Sequence, residues 1–251
     1  MRLQSLRPLI KLIAVGVVTA SAASAFASEH THEAMAVIKA VDRAVISGEL
    51  AAKVIQLPLR PGDRFVKGDL LVELDCELYE AQKAKVSAET RAARIKHENA
   101  RELSTLNSIG ELDVVLAQSE YAQALAELRI ADLNTARCEI RAPWDGRVVS
   151  LMTNAHENIR QQQELIEVVG DHQLEAEVVV PAAWLTWLEP GLPMRLRVDE
   201  LSVSADAEIT AISPTIDTVS QTIMLRATLN NNSNLIPGMS ATAYFDVPPA
   251  R

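Results

Sequence analysis

The sequence predicts a mainly β protein interrupted by an inserted α-helical coiled-coil hairpin. Three observations carry that prediction. Short strands punctuated by Gly and Pro occupy roughly 37–75 and resume after 138, the signature of a small sandwich or barrel. Between 77 and 136 there is no Pro and only Gly110. Ala, Glu, Lys, Arg, Gln and Leu dominate that run, and all are good helix formers. From about 174 to 247 strand-like alternation returns. Aromatic residues make up only 4% of the chain, so its cores are built mainly from Val, Leu, Ile and Ala. Such cores suit small β-units and Ala-rich helices.

The first residues read as a secretory signal peptide, residues 1–27. Arg2, Arg7 and Lys11 precede a short apolar run, and Ala25-Phe26-Ala27 is a small-x-small cleavage site. The apolar run is short of the roughly 20 residues a membrane span needs. Export to the periplasm, in association with the cell envelope, is the expectation. Removing 1–27 takes away three positive charges and no acid, so the formal charge falls from -9 to -12. An acidic chain without a basic patch repels phosphate backbones, which argues against a nucleic-acid partner. Residues 28–44 form an N-terminal segment. His30 and His32, with Glu29 and Glu33, are weak metal candidates there, and a flexible polar terminus is the preferred reading.

The first β half covers 45–75. Gly48, Gly62 and Gly68 mark its turns, and Leu70–Asp75 is a strand. The helical insertion covers 76–137, with its tip near 107–110 at Asn107-Ser108-Ile109-Gly110. On the second arm Val114, Ala117, Tyr121, Ala124, Leu128, Ala131 and Thr135 recur at steps of three and four, a coiled-coil stripe. On the first arm Ala81, Ala88, Ala92, Ile95 and Leu106 fit such a stripe, interrupted by Lys85, Asn99 and Glu102. Each arm would be roughly 40 Å long at 1.5 Å per residue. A rod of that size suits a protein that reaches a distant partner.

The second β half, 138–170, echoes the first. Gly48 before Leu50–Val54 matches Gly146 before Val148–Leu151, and Leu71–Leu74 matches Leu165–Val168. The two halves therefore make one domain with the helices inserted between them. A β-barrel domain over 171–251 follows, with a short helix near 181–188 carrying Trp184 and Trp187.

Cys76 and Cys138 are the only cysteines, and their midpoint is Asn107. An antiparallel hairpin brings them together at its base, which predicts a disulfide. Closing so long a loop stabilises by about 4 kcal/mol in the chain-entropy model, less any strain. Two buried free thiols or a redox pair are the alternatives. No Ser-His-Asp, phosphate-loop or zinc-helix pattern occurs, so no catalytic residue and no cofactor are expected.

Several strings resemble the periplasmic adaptor family, the HlyD-like membrane fusion proteins of tripartite efflux and type I secretion systems. They are Gly62-Asp63-Arg64-Phe65-Val66-Lys67-Gly68 closing on Leu74-Asp75, and Ile140-Arg141-Ala142-Pro143-Trp144-Asp145-Gly146. Ile212-Ser213-Pro214-Thr215-Ile216-Asp217 and Leu235-Ile236-Pro237-Gly238-Met239 follow. The residues Gly48, Gly62, Gly68, Asp75, Ala142–Gly146 and Pro237, Gly238, Met239 read as turn-forming scaffold, with Gly62, Gly68, Gly146 and Gly238 supplying backbone angles closed to other residues. The resemblance implies a lipoyl-like (biotinyl-lipoyl-like) domain split by the hairpin. Carrier domains of that fold hold biotin or lipoate on a lysine at a hairpin tip. Here the helical insertion takes that place and no Met-Lys-Met or Asp-Lys-Ala string occurs.

The resemblance also implies partners: an inner-membrane transporter of RND or ABC type, an outer-membrane channel protein, and further copies of the chain in an oligomer. The channel would dock at Leu103, Leu106, Asn107, Ser108, Ile109 and Gly110. The family's tip pattern is Arg-x3-Leu-x6-Ser. With Gly110 in the Ser place Leu103 fits the Leu, but Asn99 holds the Arg place and Arg101 is out of step. The family's membrane-proximal domain is expected after Met239, where this sequence soon ends. The competing reading is a stand-alone periplasmic binding or chaperone protein that uses the hairpin as a clamp.

Overall fold

The computed structural model describes residues 31–230 and 234–246. Residues 1–27, read from the sequence as a signal peptide, and His30 lie outside the described residues. The first half of the chain forms β1 (Thr31–Ala40), β2 (Arg43–Ser47), β3 (Ala52–Gln56), β4 (Arg64–Phe65) and β5 (Leu70–Leu74). Two helices follow, α1 (Glu77–Thr105) and α2 (Glu111–Ala136). The chain then lays down β6 (Glu139–Arg141), β7 (Gly146–Leu151), β8 (Asn158–Ile159) and β9 (Glu164–Gly170). The last strands are β10 (Leu174–Pro181), β11 (Pro193–Val198), β12 (Val203–Asp217), β13 (Thr222–Leu229) and β14 (Ser240–Asp246).

The internal repeat read from the sequence has a topological counterpart. One sheet has the order β2-β9-β7-β4 and the other β6-β5-β3-β8. Exchanging the two halves strand for strand converts one order into the other. Both sheets feed a single core that includes Val54, Phe65, Leu71, Val72, Val148, Leu165, Ile166 and Val168. Each half supplies two strands to each sheet, so neither half can bury its apolar face without the other.

Gly62, Gly68 and Gly238 do have left-handed backbones. Gly146 is different, because its φ is not positive and its constraint is space. A Cβ there would run into the carbonyl oxygen of Val169 and come within 3.1 Å of the Phe65 ring. The close approach of β7 to β9, not an unusual dihedral, requires glycine.

The helices run antiparallel. Lys83 pairs with Asp132 at 2.9 Å and Lys96 with Glu120 at 2.6 Å, and the His97 and Tyr121 rings stack with centroids 6.0 Å apart. On α2 the packed residues are those expected: Ala117, Ala124 and Ala131 are buried, and Val114, Tyr121, Leu128 and Thr135 are half-buried. On α1 the expectation is corrected. Ala81, Ala88, Ala92, Ile95 and Leu106 are all exposed. The packed face is Tyr79, Lys83, Val86, Thr90, Ala93, His97, Ala100 and Ser104, again at steps of three and four. Its polar members hide it from a search for apolar periodicity.

The barrel is closed, in the order β1-β10-β13-β12-β11-β14. Its sixth strand is a second correction. Residues 28–44, read as a separate terminal segment, contain β1, which pairs with both β10 and β14. Ala34, Ala36 and Ile38 point into the barrel core, alternating with exposed Glu33, Met35 and Val37. The expected short helix is a 3-10 turn, Ala182–Thr186. It presses Trp184 and Trp187 edge-on against Phe245, with centroids 5.8 and 5.9 Å away.

Candidate functional site: the helical rod and its two joints

Among the described residues no group of three or more His, Cys, Asp or Glu side chains is arranged to hold a metal ion. His32 is a ring in the barrel's aromatic cluster, 4.8 Å from Trp184 and 5.3 Å from Trp187. No described helix is long and apolar enough to cross a membrane. The features that stand out are mechanical: a rod of two helices, its tip, its base, and the joint between the two β-units.

The tip is built by main-chain chemistry. Asn107 is left-handed at φ 54°, and Ser108 N–H donates to the Leu103 carbonyl at 2.9 Å. That closes the last turn of α1 with a left-handed residue after its end. Gly110 then opens α2, and its N–H donates to the Asp113 carboxylate at 3.3 Å. The turn leaves apolar side chains in solvent: Leu106 is 67% and Leu112 70% exposed. Leu103 is also exposed, and Ile109 is half-buried. Leu103 and Ile109 share a shallow depression with Ala92, Ile95 and Asn99.

The base is pinned to the sheet. Cys76 and Cys138 are joined, with Cα atoms 6.0 Å apart, and both are buried. Leu74 N–H donates to the Cys138 carbonyl at 2.9 Å, and Arg137 pairs with Glu49 at 2.6 Å. The motif residues are spread along the sandwich rather than gathered at the base. Asp75 Oδ1 accepts the Glu77 N–H at 3.3 Å as α1 starts. Gly68 N–H donates to the Ala142 carbonyl, and Ala142 N–H to the Asp69 carbonyl. Asp145 Oδ1 accepts the Lys67 N–H at 2.6 Å. Pro143 is exposed, and Trp144 packs half-buried against the sandwich core. In the barrel, Gly238 N–H donates to the Ile38 carbonyl and Ile38 N–H to the Met239 carbonyl, at 2.7 and 2.9 Å. The segment Pro237–Gly238–Met239 thus ties the approach to β14 onto β1.

The joint between the β-units was read from the sequence only as the boundary between 138–170 and 171–251. Two short connections, Val41–Asp42 and Asp171–Gln173, cross it side by side. Asp171 pairs there with Arg64 at 2.8 Å and Arg147 at 3.5 Å. Close by, Glu167 takes hydrogen bonds from Arg43 at 2.6 and 2.9 Å. Those bonds hold its carboxyl below the usual 4.5, with a smaller contribution from Ser150.

This geometry has clear relatives. Residues 174–248 match the CusB-like β-barrel domain. A chimera of MacA carrying the Pseudomonas aeruginosa MexA α-hairpin domain superposes with a TM-score of 0.77 over 88% of this chain and 82% of its own, at 19% identity. The chain has the fold of the membrane fusion proteins. A membrane fusion protein of Streptococcus pneumoniae superposes with a TM-score of 0.71 at 14% identity, covering 87% of this chain and all of its own. In sequence, the nodulation protein NolF of Rhizobium meliloti is 22% identical over 213 residues, 79% of this chain. The chain spans 54% and 58% of the lengths of the two curated relatives it matches.

Proposed function

We propose that this protein is a periplasmic adaptor that links an inner-membrane exporter to an outer-membrane channel, in efflux or secretion across the cell envelope. In this reading the split sandwich is the lipoyl-like domain, the helix pair is a coiled-coil hairpin, and the disulfide is structural. The role is to position other proteins rather than to catalyse.

One observation supports the reading most: both helices carry a second stripe on the face opposite their mutual contact. On α1 it is Ala81, Lys85, Ala88, Ala92, Ile95, Asn99, Glu102 and Leu106. On α2 it is Leu112, Leu116, Ser119, Gln123, Ala126, Ile130 and Leu133. Every one of these residues is exposed, although most are apolar or small. A helix that is packed on one face and carries an exposed apolar stripe on the opposite one has room for two helical neighbours. A lone clamp needs only one such face. Charge favours the same arrangement. α1 carries six Lys and Arg against five acids, whereas α2 carries Arg129 against five acids. Taken over the whole helices, α1 of one copy therefore complements α2 of the next in charge, and such a heterologous contact gives a ring where its rotation closes.

In-cell photo-crosslinking from Leu106, Ser108 and Ile109, with mass spectrometry of the adducts, tests the function. Adducts to an outer-membrane channel protein establish the adaptor reading. Adducts only to soluble periplasmic proteins, at native expression, replace it with the clamp.

A further inference from the structure

We infer that the joint between the sandwich and the barrel is an ionic latch, in which the Asp171 carboxylate closes on Arg64 and Arg147 and fixes the angle between the two β-units. The starting point is that the two units have separate cores. The barrel cluster and the sandwich cluster share no residue. Between them run only Val41–Asp42 and Asp171–Gln173. Val41 N–H donates to the Gln173 carbonyl at 3.0 Å, and Gly170 N–H to the Asp42 carbonyl at 2.8 Å. Val41, His172 and Gln173 are exposed, and Asp42 and Asp171 are half-buried. A two-stranded ribbon without its own apolar core bends and twists readily, and such short connectors are where domain hinges form.

The two arginines reveal what restrains it. Arg64 on β4 and Arg147 on β7 are direct register partners. Like charges directly opposite each other across a strand pair are destabilising. Here a third group lies between them. Asp171, in the ribbon, has one carboxylate oxygen 2.8 Å from Arg64 Nη2 and 3.5 Å from Arg147 Nε, with its side chain only 16% exposed. The ribbon's next residue, His172, lies 3.6 Å from Asp145 on the sandwich and 3.5 Å from Asp171. The sandwich therefore presents a paired positive edge, and the ribbon supplies the carboxylate that neutralises it. Swinging the barrel away would pull Asp171 off and leave the arginines facing each other. The same two ion pairs that bind the ribbon set the rest angle of the joint.

The test measures interdomain distance in the full chain with its disulfide intact. Non-cysteine spin labels replace the exposed Arg160 of the sandwich and Ser204 of the barrel, and double electron–electron resonance reads their separation. The wild-type protein gives one narrow distance peak. Asp171→Asn loses that peak and also lowers the melting temperature, because the arginines are left unpaired. Arg64→Gln with Arg147→Gln and Asp171→Asn removes the latch, the repulsion and the stranded carboxylate together. That triple variant loses the narrow peak while its melting temperature stays above that of Asp171→Asn, which separates an opened joint from a damaged fold. A narrow, wild-type peak in the triple variant overturns the latch, and so does a wild-type distribution that is already broad.

Discussion

Thr90 of α1 donates its hydroxyl hydrogen bond across the helix pair to the main-chain carbonyl of Ala124 on α2, 2.9 Å away. The same hydroxyl lies 2.9 Å from the Val86 carbonyl one turn back. Ala124 is small and buried, so the backbones approach closely enough for a side chain to reach the opposite main chain. A polar residue thus occupies the centre of the packed seam and sets its register.

Replacing Thr90 by Val keeps the shape and removes the hydroxyl. The expected loss is about 1 kcal/mol, the net worth of a satisfied hydrogen bond plus the cost of a less well satisfied carbonyl. Thr90→Ser, which keeps the hydroxyl, loses less of the hydrogen-bond energy. Urea midpoints of the two variants decide the matter, and equal midpoints would show that the hydroxyl adds nothing.

That seam also marks where sequence reading stopped. The α2 stripe was legible because all but one of its contact positions are Val, Ala, Tyr or Leu, recurring without a break at steps of three and four. On α1 the contact positions include Lys83, Thr90, His97 and Ser104, and apolar periodicity pointed to the opposite face. Small residues likewise concealed β1, since Ala34 and Ala36 give little contrast against their neighbours. The latch residues were invisible for another reason. Arg64, Arg147 and Asp171 are unremarkable singly, and only the pairing of β4 with β7 makes them a group. The turn between the helices was legible because Asn107–Gly110 holds the one glycine of a Pro-free run. The barrel was legible as strands, but not its closure, which depends on β1.

Joining Cys76 to Cys138 closes a loop with a sequence separation of 62. Reduction should lower unfolding stability by about 4 kcal/mol, less any relief of strain. Urea denaturation of oxidised and reduced protein measures this. A Cys76→Ala, Cys138→Ala variant should behave as the reduced protein does. An unchanged midpoint would show that the cross-link removes little entropy from the unfolded chain or that native strain offsets what it removes.

Gly146 and Gly62 should respond differently to alanine. At Gly146 the new Cβ meets the Val169 carbonyl and the Phe65 ring, a backbone clash in a packed core, and the expected cost is about 3 kcal/mol. At Gly62 nothing lies within 4 Å, but φ is +94°, so the cost is conformational and about 1 kcal/mol. Thermal unfolding of both variants tests the order, and a larger loss at Gly62 would reverse the assignment of space against angle.

The Arg43–Glu167 pair predicts an acid-side signature. Its hydrogen bonds hold the folded-state pKa of Glu167 below 4.5. A group whose folded pKa is lowered contributes stability that is fully present above its unfolded pKa and is lost as pH falls through the folded value. The stability gap between wild type and Glu167→Gln should therefore be constant at neutral pH and narrow below pH 4.5. Denaturation at a series of pH values reads this directly. A gap that persists unchanged into strong acid would mean that Glu167 acts through packing rather than charge.

The outer stripe gives the sharpest separation between folding and assembly. Ile95 is 47% and Ile130 60% exposed, and both lie opposite the contact between the two helices. Glutamate at either position adds a charge in solvent, so the monomer's stability should change by no more than about 0.5 kcal/mol. In an array of copies the same charge would be forced against a neighbour's apolar stripe, where an unpaired carboxylate is costly. Analytical ultracentrifugation should then show loss of the higher-order species in both variants, with thermal unfolding of the monomer unchanged. Ala100→Glu is the contrasting variant. Ala100 is buried between the helices, so a carboxylate there should lower the unfolding temperature itself. If Ile95→Glu and Ile130→Glu associate as the wild type does, the outer stripes do not carry self-association, and the two-faced character of the helices would need a different partner.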